Sequence, residues 1–480
     1  MTTLRHPTGP PPGALEDPSV FGVNKMKPHV PLHAFGTHER ALDYYERLPD
    51  ESTSPHRRRI VDPKFALVPS PGDVPEGYQA PEYDDASWMS IQVPHTWQLD
   101  PTVVNESAFR DVPIYSNFQY LFEVDPPFVP RDNPTGCYRF RFSCTDEELR
   151  DDPRYFLSFE GADSALSCWL NGTFVGYSQD SRLPAEFDVS ALVRRGENVL
   201  AVQVSKFCDG SYLEDQDMWR LSGIFRDVVL LRKPATYIQD YRIDAVIDRF
   251  ERMKVEKDEK DEKDEDGDGD ALRLEVDVVG AAGAPATHRV RATVYAYDGR
   301  QQVVTFEGKL EPVWLARSSG SRAAGYRATM RVGGLRDRVR LWSAETPVAY
   351  VAVVELLEGE ESKDVEAHVF GFRSDWIQHA TGKFMHNGRA IMMRGVNRCV
   401  SNSSARVSLL AIRSRTTHHA RCVRSPGTST RPTTGRGSSR RPPCSATPRS
   451  SRGSTSTPCA ARTTPTTTFG TRSAPCMGST

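Results

Sequence analysis

Short runs of alternating apolar and polar residues fill the chain from about residue 60 to 235. Examples are CYRFRFSC (137–144), LSCWLNGTFVGYS (166–178) and NVLAVQVSKF (198–207), each bounded by turn-forming residues. Such alternation is typical of antiparallel strands that bury one face. Asn171-Gly172 predicts a tight hairpin turn inside the second run. The pattern and the size of the region predict a jelly-roll β-sandwich over 61–235.

A second set of strand patterns follows, including HRVRATVYAYD (288–298) and YRATMRVGG (326–334). They predict a smaller immunoglobulin-like β-sandwich over 236–372. The charged run EKDEKDEKDEDGDGD (256–270) interrupts this region. We interpret it as a solvated loop insertion. The alternative, a calcium site, is less favoured because its acids lack the Gly and Glu placement of a calcium-binding loop.

The two ends of the chain have other patterns. Residues 1–60 are rich in Pro and predict an arm, with a short helix around ERALDYYERL (39–48). Residues 373–398 predict a hairpin that turns at Asn387-Gly388 and continues into a strand. Residues 399–480 are mostly Ser, Thr, Arg and Pro without a periodic apolar face, which predicts a disordered tail.

Charge separates the tail from the rest of the chain. The net charge is −2, but 13 of the 61 basic residues and no acidic residue lie at 399–480. The remaining 48 basic residues face 63 acidic ones, a balance of −15. The tail lacks the aromatic residues that interleave with basic ones in nucleic-acid binders, so we expect no nucleic-acid partner. No apolar stretch predicts a membrane span or a signal peptide, and we therefore expect a cytoplasmic protein without a membrane partner.

Four cysteines lie before residue 399, at Cys137, Cys144, Cys168 and Cys208. Their positions show neither paired spacing nor the spacing of metal ligands. We expect buried free thiols, with disulfides as the less favoured alternative.

Three longer stretches are more specific than composition. They are PIYSNFQYLFEVDPPFVPRDNPTGCY (113–138), NGTFVGYSQDSRLPAEFDVSALVRRGENVLAV (171–202) and DGSYLEDQDMWRLSGIFRDVVLL (209–231). With VPHTWQL upstream and MMRGVNR downstream, they resemble the β-galactosidases of glycoside hydrolase family two, over about residues 17–398. The segment DPTVVNESAFRDV (100–112) departs from the family, which has a shorter connection with a Gly-Tyr pair.

The resemblance implies a sugar-binding jelly roll, an immunoglobulin-like domain and a catalytic TIM barrel. The fold class predicted for the legible part is therefore all-β. It comprises the jelly roll at 61–235, the immunoglobulin-like sandwich at 236–372 and the first strand of a TIM (β/α) barrel within 373–398. Members of the family are often homo-oligomers.

The third stretch also suggests a sugar site by its residue types. Glu214, Asp215 and Asp217 lie beside Tyr212 and Trp219. Carboxylates accept hydrogen bonds from sugar hydroxyls, and an aromatic ring covers the apolar face of a sugar. From the residues alone, a solvated acidic turn flanked by core aromatics is the alternative.

The resemblance assigns two substrate-binding residues. It implies that Asp217 contacts galactose and binds a sodium ion, for which a carboxylate is a suitable oxygen ligand. It implies that Asn117 hydrogen-bonds the substrate, with a plain turn asparagine as the alternative. Arg226-Asp227 and Trp169 are interpreted as ion-pairing and packing residues.

The catalytic residues are a different matter. Retaining glycoside hydrolysis needs two carboxyl groups about 5 Å apart. The resemblance places both in the barrel, beyond the Gly-Val-Asn-Arg strand, yet no acidic residue follows Asp375. Cys399 stands where the family continues with a His-rich loop. We therefore assign no catalytic residue and no magnesium ligand, and we expect this chain to be inactive.

The genetic code offers an explanation of the tail. When the third base of each codon is read with the first two bases of the next, residues 453–480 permit the family's next barrel segment with its Ser-His-Tyr-Pro motif. The agreement extends over the whole stretch at the family's own spacing. We interpret the tail as a misframed translation after Arg398, although residues 399–452 fit neither frame.

Three functions are therefore weighed. The first is a β-galactosidase that hydrolyses terminal β-galactosides through a barrel encoded in the correct frame. The second is a truncated module that binds galactosides without cleaving them. The third, a nucleic-acid binder acting through the Arg-rich tail, is disfavoured by its lack of a recognisable fold.

Overall fold

The computed structural model describes residues 8–46, 54–116, 120–214, 218–247, 270–280, 287–297, 300–316, 322–335, 337–393 and 395. Most of the regular structure in these residues is antiparallel β-sheet. The acidic run up to residue 269 and the whole tail 399–480 lie outside the described residues, so their predicted loop and disorder stay predictions.

The first sandwich occupies the region of the predicted jelly roll. Its strands are β1 (Gly22–Val23), β2 (Arg57–Arg59), β3 (Lys64–Val68), β4 (Met89–Ser90), β5 (Ile114–Tyr115), β6 (Thr135–Cys144), β7 (Arg154–Phe159), β8 (Ala162–Asp163), β9 (Ala165–Leu170), β10 (Thr173–Ser178), β11 (Ala185–Asp188), β12 (Gly196–Ser205), β13 (Trp219–Arg220), β14 (Gly223–Ile224) and β15 (Val228–Lys233). The two large sheets have the orders β1-β10-β9-β12-β6-β3-β4 and β11-β7-β15-β2. The short strands form two separate pairs, β5 with β13 and β8 with β14.

Strand β6 illustrates how the sequence pattern builds this sandwich. Tyr138 and Phe140 point into the core between the sheets, as the alternation of CYRFRFSC predicts. Arg139 lies on the opposite face but is also buried, and its Nε donates to the Asp85 carboxylate at 2.7 Å. The predicted turn between β9 and β10 is confirmed, because Asn171 and Gly172 both have positive φ, 53° and 82°.

The structural interpretations of the cysteines, Trp169 and Asp227 in this sandwich also hold, whereas Arg226 donates to the backbone carbonyls of Glu160 and Arg182. The four cysteines are buried free thiols, and burial raises the pKa of the Cys137 thiol to about 12, so it stays protonated. Trp169 is buried and packs against Phe174. Asp227 forms an ion pair with Arg59 at 3.0 Å.

The second sandwich follows the first without a break in the chain. Its strands are β16 (Tyr237–Ile247), β17 (Asp270–Val279), β18 (His288–Ala296), β19 (Gln302–Lys309), β20 (Glu311–Ala316), β21 (Arg322–Gly333), β22 (Tyr350–Glu358) and β23 (Glu361–Phe370). They form two four-stranded antiparallel sheets, β16-β17-β21-β20 and β19-β18-β22-β23. Aliphatic residues such as Val276, Val290 and Val354 fill the space between the sheets. This is the arrangement expected of an immunoglobulin-like sandwich.

The N-terminal arm contacts both sandwiches. Strand β1 adds to the edge of β10 in the first sandwich. Further on, the Phe35 amide donates to the Val365 carbonyl of β23 at 3.0 Å, and the Phe35 side chain is buried. The predicted helix is confirmed as α1 (His38–Glu46), which packs against β22 and β23.

A buried group of charges, the junction cluster of Lys233, Asp364 and Glu366, joins the arm and the two sandwiches. Lys233 ends β15, and its Nζ donates to Asp364 Oδ2 at 2.9 Å and to the Glu366 carboxylate. The same carboxylates accept backbone amides, that of Ile238 at 2.9 Å and that of Ala34 at 2.9 Å. Burial alone would lower the pKa of Lys233, yet the two carboxylates hold it above its ordinary value.

The last described residues form a three-stranded sheet of β24 (Asp375–Gln378), β25 (Lys383–His386) and β26 (Arg389–Ala390). The predicted turn at Asn387-Gly388 is confirmed between β25 and β26. Residues 391–393 continue without a strand, so the first strand of a TIM barrel is not seen in the described residues. A barrel strand pairs with neighbours from later in the chain, which is a physical reason for this difference. Within the part of the chain that the structure describes, no helix is long and apolar enough to cross a membrane.

Candidate functional site

The two predicted substrate-binding residues flank one short strand pair. Strands β5 and β13 are antiparallel, with Tyr115 opposite Trp219. Asn117 follows Tyr115 by two residues and Asp217 precedes Trp219 by two residues, but 117–119 and 215–217 lie outside the described residues. Segments 117–119 and 215–217 are therefore each joined to one strand of the same β-strand pair.

Aromatic rings are exposed on this strand pair. Trp219 is 58% exposed and Tyr115 is 47% exposed, and their ring centroids are 5.5 Å apart. Because an exposed ring offers an apolar platform, this placement suits the face of a sugar. Tyr212, the other aromatic predicted to face the sugar, has a packing role: its ring stacks on Tyr120, and its hydroxyl donates to the Phe128 carbonyl at 2.6 Å.

A shallow, solvent-open cleft with a volume of about 20 Å³ lies beside the pair. Charged side chains converge on it from distant parts of the chain: Asp163, Arg182, Lys206, Glu214 and Arg220. The exposed ring of Trp219 forms part of the same wall. The cleft therefore combines polar groups with an aromatic surface, as carbohydrate sites do.

Glu214, one of the predicted acids, is held in place by its neighbours. Its two carboxylate oxygens accept the backbone amide and the hydroxyl of Ser181, at 2.9 and 2.8 Å. Its backbone carbonyl accepts Arg220 Nη1 at 3.0 Å. Glu214 therefore ties one end of the 215–217 segment both to the turn at 180–183 and to β13.

Asp163 and Arg182 form a second polar contact in the cleft wall. The Asp163 carboxylate and the Arg182 guanidinium are 2.8 Å apart, and the Asp163 side chain is 15% exposed. Burial raises the pKa of Asp163 to about 7, the attraction of Arg182 opposes this rise, and the nearby Glu214 carboxylate adds to it. This carboxyl group therefore changes its protonation state near neutral pH.

Lys206, which lines the cleft, is held in place by Asp111 of the divergent segment, and Asp111 also binds two residues of the VPHTWQL motif. Lys206 Nζ lies 2.5 Å from the Asp111 carboxylate. The same carboxylate accepts Trp97 Nε1 at 2.9 Å and Gln98 Nε2 at 2.8 Å. Asp111 is the second-last residue of the 100–112 segment, whose earlier part forms helix α2 (Pro101–Glu106), capped by Asp100. The divergent segment thus supplies the carboxylate that anchors a lysine of the cleft wall.

Sequence reasoning missed Asp111, Asp163, Arg182 and Lys206. They are far apart in the chain, and each looks like an ordinary surface charge. Only the strand pairing brings them together. One feature of the sequence could have pointed to them. The long stretch 171–202 that resembles the family contains Ser181 and Arg182 in its SQDSR segment.

The described part of the cleft does not by itself form a metal site. No group of three or more His, Cys, Asp or Glu side chains among the described residues is arranged to hold a metal ion. The two carboxylates that line the cleft have protein partners, since Glu214 accepts hydrogen bonds from Ser181 and Asp163 pairs with Arg182. The predicted sodium ligand Asp217 is outside the described residues, so its sodium role stays a prediction.

Comparisons with known proteins agree with this architecture. A profile of the sugar binding domain of glycosyl hydrolases family 2 matches residues 62–234, and a second profile of glycosyl hydrolases family 2 matches residues 236–373. The crystal structure of a β-glucuronidase from Bacteroides uniformis is similar with a TM-score of 0.50 at 20% identity, covering 71% of this chain and 35% of that one. At that identity the likeness concerns the fold alone.

Curated relatives are closer in sequence. A β-galactosidase from Vibrio vulnificus (strain YJ016) is 38% identical over 385 residues, which is 80% of this chain and 33% of the relative. Beta-galactosidase 2 from Enterobacter cloacae is 38% identical over 390 residues, again 33% of its length. The chain spans about a third of the length of the curated relatives that it matches. By its two consecutive domains and this identity, the chain belongs to glycosyl hydrolase family 2 and corresponds to the N-terminal portion of its β-galactosidases.

Proposed function

We propose that the cleft beside β5 and β13 is the wall of a galactoside site, and that the complete protein is a β-galactosidase. The observation that carries this proposal is the meeting of acids, bases and an exposed tryptophan at the strand pair that flanks Asn117 and Asp217. The likeness to β-galactosidases over 80% of the chain supports the choice of sugar.

In this proposal Asn117 and Asp217 bind the substrate. Asn117 donates or accepts a hydrogen bond through its amide, and Asp217 accepts hydrogen bonds from galactose hydroxyls. Asp217 also provides an oxygen ligand for sodium. The support from the described residues is indirect: Tyr115 and Trp219 are paired, so both segments start from one ladder.

The carboxyl groups that carry out hydrolysis would lie in a TIM barrel that this amino-acid sequence does not contain in recognisable form. The retaining mechanism uses a general acid and a nucleophile, both carboxyl groups. Asp375 is the last acidic residue of the sequence. We propose that residues 373–398 begin the TIM barrel, and that the catalytic carboxylates and magnesium ligands are encoded in the frame abandoned after Arg398.

Sequencing the transcript across codons 395–460 tests this function. We expect a continuous frame that carries a His-rich loop after Arg398 and extends to an Asn-Glu and a Glu-Tyr pair. The protein from that transcript should hydrolyse a chromogenic β-galactoside, whereas the 480-residue chain should not. A transcript that matches the present sequence through its stop codon would refute the enzyme.

A second function, a binding module without catalysis, is favoured by one observation. The described cleft is lined by residues of the first sandwich and its connecting segments, so this wall does not need a barrel in order to form. A single open wall covers only part of a sugar, and we expect weak binding with a Kd of about 1 mM. The absence of galactoside binding by the full chain at 10-fold higher sugar concentration, about 10 mM, would exclude the module.

A further inference from the structure

The arm crosses from the first sandwich to the second in a segment that we call the strap, residues 24–35. At its first end, Asn24 Nδ2 donates to the Val175 carbonyl of β10 at 2.9 Å. Two residues further on, the Met26 amide donates to the Glu186 carbonyl of β11 at 2.8 Å. This end of the strap is therefore bonded to both large sheets of the first sandwich.

The second end of the strap is bonded to β23 of the second sandwich. The successive amides of His33 and Ala34 donate to the two carboxylate oxygens of Glu366, at 2.7 and 2.9 Å. The Phe35 amide then donates to the Val365 carbonyl at 3.0 Å. Hydrogen bonds to a carboxylate are charge-assisted and stronger than those between neutral groups. Three consecutive amides thus hold this end to one strand.

The Phe35 side chain anchors the same end. It is fully buried, in an apolar cluster with Val351 and Val353 of β22 and Ala367 of β23. Because Phe35 cannot leave this cluster without exposing apolar surface to water, the strap cannot slide along β23.

The apolar contact between the two sandwiches includes the strap. Among the described residues, no strand of one sandwich pairs with a strand of the other. Phe156 of the first sandwich packs on Tyr237 of the second, with ring centroids 5.4 Å apart. Met26 and Ala34 of the strap belong to the same buried cluster, so part of the contact is made through the strap.

The chain also connects the sandwiches directly, through the short linker 234–236 between β15 and β16. Short connections of this kind act as hinges, and two domains move relative to each other unless their interface is large and hydrophobic. The junction cluster restrains the sandwiches close to this hinge, because Lys233 directly precedes the linker. A second chain crossing that is fixed at both ends restrains them at further points.

We propose that the strap fixes the orientation of the two sandwiches, with Phe35 as its anchor on the second. The cleft lies in the first sandwich, whereas the sheet of β24, β25 and β26 follows the second. The strap therefore also fixes where the cleft lies relative to that sheet. The proposal does not depend on which ligand the cleft binds.

The test measures the distance between the sandwiches in the full 480-residue chain. Asp146, between β6 and β7, and Glu361 on β23 have side chains that are 67% and 73% exposed. Replacing both by p-azidophenylalanine allows spin labels to be attached without modifying the cysteines. Double electron–electron resonance then gives the distribution of distances between the labels. We expect one narrow distribution when the strap is unchanged.

Phe35→Ala removes the anchor of the strap. We expect the distance distribution to broaden. We also expect the amides of residues 33–35 to exchange hydrogen about 100-fold faster, because truncating a buried Phe removes much packing energy. The matched control is Phe21→Ala, which makes the same change before the strap, at a ring that is 65% exposed. It should change neither readout.

Ser54→Ala is a milder variant. The Ser54 hydroxyl lies 2.6 and 2.8 Å from the carbonyl oxygens of His33 and Ala34. Its removal loosens the strap without truncating a residue of the apolar core, and should broaden the distribution less than Phe35→Ala does. Protection of the core amides of β17 and β22 against hydrogen exchange reports whether the second sandwich stays folded.

A broader distribution in Phe35→Ala, with β17 and β22 still protected, would support the inference. An unchanged distribution would overturn it, because the sandwiches would keep their orientation although the anchor is gone. Equal broadening in Phe21→Ala would overturn it as well. If Phe35→Ala exposes the core amides of β17 and β22, the same criterion applies to Ser54→Ala. Loss of that protection in both variants would also overturn the inference, since the strap would then belong to the core of the second sandwich.

Discussion

The junction cluster and the Asp163–Arg182 pair are both buried charged groups, but they differ in how completely they are satisfied. At the junction, Lys233 has two carboxylate partners that also accept backbone amides. In the cleft, Asp163 has one ion-pair partner among the described residues, and the Arg182 side chain is 41% exposed. The partners of Lys233 compensate for its burial, so it stays charged. The partners of Asp163 compensate for its burial only in part, so its carboxyl group is near its titration midpoint at neutral pH.

This difference suggests that the two groups contribute to stability with opposite signs. Removing one partner from a fully buried group leaves uncompensated charge and destabilises the fold. Removing a carboxylate whose ionisation is already opposed by burial relieves a penalty instead. Substitutions in the two groups should therefore change the free energy of unfolding in opposite directions.

The largest effect is expected for Lys233→Met at the junction. The substitution leaves Asp364 and Glu366 buried next to each other without a cation. We expect a loss of about 3 to 5 kcal/mol in the free energy of unfolding, measured by urea denaturation at pH 7.

The matched control is Lys363→Met on β23. Lys363 forms exposed pairs with Glu358 and Glu361, and such pairs contribute less than about 1 kcal/mol. Equal effects of the two substitutions would contradict the special role of the junction cluster.

A smaller effect is expected at His29, which ties the arm to the first sandwich. Its two ring nitrogens face acceptors only, the Val30 carbonyl at 2.7 Å and the Glu186 carboxylate at 2.9 Å, so both carry protons. Burial opposes this charge, but the Glu186 contact and the Val30 carbonyl raise the pKa of His29 to about 9.

The raised pKa gives the pH dependence a definite sign. The folded state binds the His29 proton more tightly than the unfolded state, so the contribution is complete below pH 6.5 and is lost as pH rises to about 9. We expect about 2 to 3 kcal/mol of stability to disappear over this interval in urea denaturation, and His29→Gln to lack this loss. An identical pH dependence in His29→Gln would show that another group is responsible.

Long strands were predictable from the sequence, but the groups compared here were not. Strands β6, β9, β10 and β12 have clear alternation and turn signals, and they are as predicted. Strands β5 and β13 have two residues each, too few to show a period, yet they flank the candidate site.

The charged groups were hidden for a related reason. On β23, Asp364 and Glu366 alternate with Val365 and Ala367, which is the pattern of a strand with one solvent-facing side. In the structure both faces are buried, because the arm and Lys233 cover the charged one. Nothing local in the sequence reveals a covering segment that lies more than a hundred residues away.

A modest effect of opposite sign is expected for Asp163→Asn. The raised pKa means that ionising Asp163 costs folding free energy, and this cost grows as pH rises from about 4 to 7. The variant should therefore be more stable than the wild type by about 1 to 2 kcal/mol at pH 8, and the difference should shrink as pH falls and vanish near pH 4. If the variant were less stable than the wild type at pH 8, ionised Asp163 would stabilise the fold as the junction cluster does, and the two groups would not differ in sign.

The smallest effect on stability is expected for Trp219→Ala. The ring is 58% exposed, so its removal should change the free energy of unfolding by about 0.5 kcal/mol. Galactoside binding should nevertheless weaken, because a stacking surface is lost. A large loss of stability would show that Trp219 is a packing residue rather than a surface for a ligand.

The most direct test of the central claim is saturation-transfer NMR of methyl β-galactoside with the full chain, comparing the wild type with Asp217→Ala. We expect transfer to the sugar in the wild type, its loss in Asp217→Ala, and its retention in the control Asp146→Asn, whose exposed side chain pairs with Arg195. Equal transfer in the wild type and Asp217→Ala would contradict the assignment of this cleft as a galactoside site.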